Sequence, residues 1–323
     1  MKYWKTLNPP DIITAVLCAV AAFLIFSRMG TLGFATAATY GGYYLLVLAF
    51  VLAIVPLMDR TKHWSIQNPV VRFVRYLYPA IMLGVFFNWT QPVSHMFFAE
   101  PFDALMIKAD MWLFGFSPGR DLAGMLGNNY FLSEYMNLSY LSYYLTPWLP
   151  IYFYFAGKRK EFYYSAFVAC LVMYTCFIVQ SVFPVEGPIY NDASIGGHLV
   201  AGPISAFAAN FLSGADVPGS AMPSGHVAGT MTIFFLTWIM FRKAFWVTAP
   251  VWISLCISTV YGHFHYAIDA VVGFGMAVMA VYVVAPALYA RFFPELMPDA
   301  VAGSRKPSPD SPPVTAPNAK KTH

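Results

Sequence analysis

Long apolar stretches, separated by shorter polar connections, dominate this chain, and several approach the ~20 residues that a helix needs to cross a bilayer. They predict eight spans, near 11–28, 37–58, 76–98, 130–156, 163–184, 224–241, 244–262 and 265–289. Two longer mixed connections, 99–129 and 185–223, interrupt the series. The first contains FDALMIKADMWLFGF, too charged for a span but amphipathic enough to lie along a membrane surface. From about 291 the chain turns rich in Pro, Ser, Ala and Lys, with no apolar face to bury, which predicts a disordered tail over 291–323. The expectation is an all-α, polytopic membrane protein. Two accessory helices fill 1–75 and a helical catalytic unit fills 76–290. No repeat of 20–50 residues is visible.

Composition excludes a soluble two-domain protein of the same length, because 59% of the residues are hydrophobic and only 11% charged. An average soluble domain has roughly 25% charged residues. The net charge of +4 says less than the placement of the charges. Alternate connections hold Arg60, Lys62, Arg72 and Arg75, then Lys158, Arg159 and Lys160, then Arg242 and Lys243; the ends carry Lys2, Lys5, Arg291, Arg305, Lys306, Lys320 and Lys321. The positive-inside rule places all of these, and both termini, in the cytoplasm. The other connections hold only Arg28, Lys108 and Arg120, and 185–223 has acidic residues but no Lys or Arg. The run after Lys5 has no small-x-small cleavage pattern and reads as a retained first span. All four cysteines lie in apolar runs, so no disulfide framework and no CxxC metal spacing is legible.

With that topology, four of the seven histidines fall between 198 and 265, and His226, His263 and His265 reach the outer face of the membrane. His265 and Asp269 are four residues apart on an expected helix, so the carboxylate can hold one ring nitrogen and leave the other free as base or nucleophile. An Asp one turn inside a span is costly unless paired, which makes it a functional candidate; the plainer alternative is a pair that only satisfies each other. Residues 223–226, PSGH, open another span. Ser224 is a plausible cap there, and the Gly225 amide lies at the positive end of the helix, an arrangement that suits a phosphate or does no more than start a helix.

PSGH followed by GHFHYAID resembles the second and third signature motifs of the type 2 phosphatidic acid phosphatase (PAP2) superfamily. With FDALMIKADMWLFGFSP, SEYMNLSYLSYYLTPWLP and FPVEGP, the chain resembles more narrowly the branch of inositol phosphorylceramide synthases and their bacterial relatives, over roughly 100–285. The resemblance implies a six-helix catalytic core, His265 as the nucleophile that takes a phosphoryl group, Asp269 as its orienter, and His226 as acid and then base. It implies no metal and no cofactor; the partners are lipids in the bilayer, not nucleic acid.

Departures from the family pattern matter as much. The phosphatase branches carry Ser-Arg where this chain has Ser258-Thr259, and their Lys-x6-Arg-Pro motif is missing. A phosphomonoester dianion needs fixed cations, whereas a phosphodiester brings one charge. The reading therefore favours transfer of a phosphoinositol-type head group from a phospholipid to a lipid hydroxyl, at the outer (extracellular, periplasmic or lumenal) face. Hydrolysis by the same core and a proton-coupled transporter built on the His/Asp pair are the rivals. Lys108 or Arg120 folding over the site, or Ser224, Gly225 and Tyr190, would supply the phosphate contacts. Asp103 and Asp110, seven apart, share one helix face and are read first as solvated charges, with head-group binding as the alternative. His263-x-His265 with His226 and Asp269 is a weaker zinc pattern, Glu186 is either a loop charge or a neighbour of the acceptor hydroxyl, and His198 reads as surface.

Overall fold

The computed structural model describes residues 7–56, 68–126, 129–192, 195, 199–212 and 218–303. The chain begins with α1 (Pro9–Ser27), α2 (Phe34–Ala49, prolonged by a π turn over Phe50–Ile54) and α3 (Pro69–Thr90). Then come α4 (Asp103–Phe114), α5 (Pro118–Met125), α6 (Tyr130–Leu141) and α7 (Trp148–Phe155). They are followed by α8 (Arg159–Val182), α9 (Pro203–Leu212), α10 (Gly225–Met240) and α11 (Arg242–Tyr261). Last is α12 (Ala267–Met279), which continues through a π turn over Ala280–Val284 to Phe292. The only pairing of extended backbone among the described residues is one bridge between Val185 and Ser220.

Among the described residues, six helices are long and apolar enough to cross a membrane: Pro9–Ser27, Phe34–Ile54, Pro69–Val93, Arg159–Val182, Arg242–Tyr261 and Ala267–Phe292. The other two expected spans take a different form. The stretch expected over 130–156 breaks after Leu141 into a 3₁₀ turn (Ser142–Leu145), and Pro147, which has no N–H to donate, separates α6 from α7. Helix α10 has only 16 residues, about 24 Å at 1.5 Å per residue, against a hydrocarbon layer of about 30 Å. It is a short, largely buried helix.

Helix α8 is the wall shared by two packed groups. One of its faces joins α1, α2 and α3 through Cys170, Tyr174 and Phe177; the other meets α7, α10 and α12 through Phe167, Val168 and Val172. Helix α3 begins at Pro69, ahead of the division expected at 76, and is tied to α1. Arg75 was expected among the cytoplasmic loop charges; it is instead buried in α3, donating to both oxygens of Asp11 at 3.0 and 2.8 Å, with the Tyr78 hydroxyl adding a third bond at 2.8 Å. A buried carboxylate in an apolar bundle needs such partners.

Helices α10 and α12 cross closely because Gly273 has no side chain. A Cβ there would sit 2.6 Å from the Ser224 carbonyl oxygen and 3.2 Å from the Ala228 nitrogen. The contact is locked by the Ser224 amide, which donates to the Asp269 carbonyl at 3.1 Å. Small residues allow such approach between membrane helices, and here the approach joins the two helix N-termini that carry the histidines. Beyond Arg291 the chain is not irregular at first. Turns of helix at Pro294–Leu296 and Asp299–Ala302 fold Val301 into the core, so the expected tail is ordered through 303 because this part does have apolar residues to bury. The rest of the tail, His198, Lys2, Lys5, Arg60 and Lys62 lie outside the described residues.

Candidate active site

Ser224 is extended, and its hydroxyl caps α10 by accepting from the Val227 amide at 3.3 Å. That places His226 in the first turn. On the other side, α11 ends at Tyr261 and the chain reverses over four residues, with His263 in the left-handed region at φ 64°. The amides of Phe264 and His265 both donate to the Thr259 carbonyl at 3.2 Å. The position at which the phosphatase branches carry an arginine is thus a fully buried threonine whose carbonyl shapes the segment that carries His265.

The three expected residues meet. His265 Nε2 lies 3.4 Å from His226 Nδ1, and His265 Nδ1 lies 3.7 Å from Asp269 Oδ2. His226 Nε2 in turn is 3.0 Å from the Tyr140 hydroxyl. One proton assignment serves the whole chain: Tyr140 O–H donates to His226 Nε2, His226 Nδ1–H points at His265 Nε2, and His265 Nδ1–H points at Asp269. It leaves the Nε2 lone pair of His265 facing the proton on His226. Asp269 is fully buried and its Oδ2 also accepts from the Tyr266 amide at 2.9 Å. The same oxygen therefore fixes the start of α12 and faces the nucleophile.

Asp103 and Asp110 correct the expectation of solvated charges. They do share one face of α4, but that face packs on the nucleophile segment: Asp110 receives the Ala267 and Ile268 amides at 3.2 and 2.8 Å, capping α12. Asp103 receives the Glu186 and Gly187 amides and the Tyr266 hydroxyl, each at 2.9 Å. Burial holds the Asp110 carboxyl above its ordinary range, with the amides and Ser117 pulling the other way. Burial and the neighbouring Asp103 likewise push the Tyr266 hydroxyl up.

Gly119 closes the clamp, its carbonyl 2.8 Å from His263 Nδ1. A Cβ on Gly119 would collide with the His265 carbonyl oxygen and lie 3.1 Å from Tyr266 Cα. Gly119→Ala is therefore expected to displace the nucleophile segment and lower turnover by about 10²-fold, the scale of an ångström-sized misplacement. Turnover measured beside a melting curve checks this. A variant as active as the wild type would show that the segment yields without consequence.

A cavity of about 410 Å³ lies against the histidines, within the range of small-molecule sites. It runs from His226 and His265 between α3 and α8, past Gly84, Phe87 and Phe177, to the broken region between α6 and α7. Among the described residues that line it, none is Lys or Arg, and one, Glu186, is acidic. Of the expected phosphate contacts, Gly225 and Tyr190 line the cavity. Ser224 is buried behind it as a helix cap. Lys108 is exposed on α4 and outside the cavity walls, because Asp103 and Asp110 turn the opposite face of α4 to the site. Arg120 is also outside the walls; its Nε donates to Asp192 at 2.7 Å. Asp103 and Asp110 are spent on backbone amides and do not line the cavity.

Sequence reading does not single out Tyr140 or Tyr143 as site residues; the Tyr143 ring lies 4.3 Å from that of His226. Sequence reading also passes over Gln180, which lines the cavity. The one available signal was the density of polar and aromatic residues in 133–150. No group of three or more His, Cys, Asp or Glu among the described residues is arranged to hold a metal. Of the residues in the zinc pattern, His263 has its Nδ1 on the Gly119 carbonyl.

Comparison with curated proteins and with solved structures finds no match. A family model described as the PAP2 superfamily matches residues 104–283, more than half of the chain, a region that holds His226, His265 and Asp269. The chain belongs to the PAP2 superfamily.

Proposed function

We propose that the protein is a lipid phosphotransferase that moves a phospho-head group from a phospholipid to a hydroxyl acceptor through a phosphohistidine on His265. Membership of the superfamily supports phosphatase or phosphotransferase chemistry on lipids. The observation that carries the choice of transfer is the cavity that reaches both histidines without a lysine or arginine in its described walls. The stretch 185–223 contains no lysine or arginine either. A dianionic monoester would enter without a counter-charge, whereas a diester needs to settle only one.

In the first half-reaction the Nε2 lone pair of His265 attacks phosphorus and the bond to the lipid alkoxide breaks. His226 Nδ1–H supplies the proton to that alkoxide. The phosphoryl oxygens face the first amides of α10, where the helix dipole is positive. Asp269 faces the Nδ1–H of His265 as its ring gains positive charge. In the second half-reaction an acceptor hydroxyl gives its proton to His226 and takes the phosphoryl group, and the electron pair of the broken P–N bond returns to Nε2. The narrower resemblance to inositol phosphorylceramide synthases supports a phosphoinositol-type head group.

The test uses purified protein in vesicles with phosphatidylinositol labelled in its head group, ceramide as acceptor, and EDTA throughout. Label is expected to pass to the second lipid and to survive chelation. Release of all label into water would establish hydrolysis instead, and loss of turnover restored by zinc would overturn the metal-free mechanism. Orientation is tested separately: reporters fused after Lys160 or Arg242 are expected to score cytoplasmic and one near Gly197 external. External labelling of 158–160 in intact cells would reverse the assignment and move the site to the inner leaflet.

A further inference from the structure

Two hydrogen-bond acceptors in the cavity have no use in the half-reactions above. Gln180, near the end of α8, is 1% exposed and lines the cavity beside Gly225. Its Nε2 donates to the Pro223 carbonyl at 3.0 Å, which fixes the amide orientation, and its Oε1 has no donor among the described residues. Glu186 lines the same cavity. Its backbone is held by Asp103 at 2.9 Å, and the neighbouring Val185 carbonyl accepts from the Ala221 amide at 2.8 Å. The Glu186 carboxylate has no hydrogen-bond or ion-pair partner among the described residues. A buried acceptor without a donor costs stability unless a ligand supplies one; Gln180 Oε1 is such an acceptor, and the half-buried Glu186 carboxylate lies on the same cavity wall.

We propose that Gln180 Oε1 and the Glu186 carboxylate form a wall that selects an acceptor carrying a second O–H or N–H beside its attacking hydroxyl: a vicinal diol or a hydroxy-amide, rather than a simple alcohol. The inference rests on the transfer reading above. The attacking hydroxyl has one proton, and that proton goes to His226 Nδ1. It cannot also satisfy Gln180 or Glu186, whereas a second donor on an adjacent atom of the acceptor can. A site built to hydrogen-bond such a group discriminates strongly against an analogue that lacks it. Water, with two O–H groups, satisfies the same geometry and is the competitor to separate.

The experiment forms the labelled enzyme from head-group-labelled phosphatidylinositol in vesicles, then adds 1-octanol and 1,2-octanediol at equal concentration and measures the ratio of the two products. The ratio is independent of how fast the labelled enzyme forms, and the label itself shows that a variant is folded. Wild type is expected to favour the diol by on the order of 10-fold or more, and Gln180→Leu and Glu186→Leu to bring the ratio toward unity. Glu186→Gln, which keeps an acceptor oxygen, is expected to retain part of the preference. If Gln180→Leu carries no label, Glu186→Leu decides alone. Equal use of both alcohols by wild type, or a preference that survives the leucine variants, overturns the proposal. So does a change confined to hydrolysis, which would assign the wall to water. Absence of label on wild-type His265 would instead overturn the transfer reading itself.

Discussion

Replacing His265 by alanine is expected to abolish both turnover and covalent labelling of the protein. In the proposed mechanism the Nε2 of His265 attacks; it stands at the end of the chain from Tyr140 through His226, and Asp269, behind it, has one oxygen committed to the Tyr266 amide. No neighbouring group takes over. His226→Ala is expected to fail differently. Without the proton on Nδ1, departure of the alkoxide and activation of the acceptor both slow, by the ~10²–10⁴-fold that a positioned acid or base contributes. The attacking nitrogen is still present, so a weak adduct accumulates in that variant. The contrast is read by quenching each protein in a single turnover and comparing label with product. Equal labelling of the two variants would remove the distinction between nucleophile and acid.

Asp269→Asn is expected to keep the fold and lose about 10²–10⁴-fold in rate. The amide oxygen can still accept from the Tyr266 amide, and Asp110 still caps the α12 amides, so the helix start survives. What the variant lacks is negative charge facing Nδ1 of His265 as the ring becomes positive. The loss is expected in kcat, with KM little changed, because the charge develops in the transition state. A variant that loses thermal stability in proportion to its rate would mean that Asp269 serves the fold alone.

Much of this arrangement was legible in the sequence. Six of the eight apolar runs are helices of spanning length, since hydropathy alone sets them. The His265–Asp269 pair was legible because four residues on a helix return to the same face. The PSGH start of α10 was legible from cap chemistry. Pairings between distant elements were not. Arg75 reads as a loop charge until Asp11, 64 residues earlier, is placed beside it. Asp103 and Asp110 have the spacing of one helix face, but spacing does not say whether water, a head group or a backbone amide meets that face. Tyr140 looks like any other aromatic of a span until its hydroxyl is found on His226, 86 residues on. The break between α6 and α7 has a local cause in Pro147, which a count of apolar run length does not register.

The central claim is that the phosphoryl group rests on His265 between the two half-reactions. Its most direct test is to quench wild-type protein during turnover of head-group-labelled phospholipid, digest it, and map the label. The account predicts label on His265, lost in acid and kept in base as a phosphoimidazole is; label on Ser224, or on no residue while turnover proceeds, would contradict it.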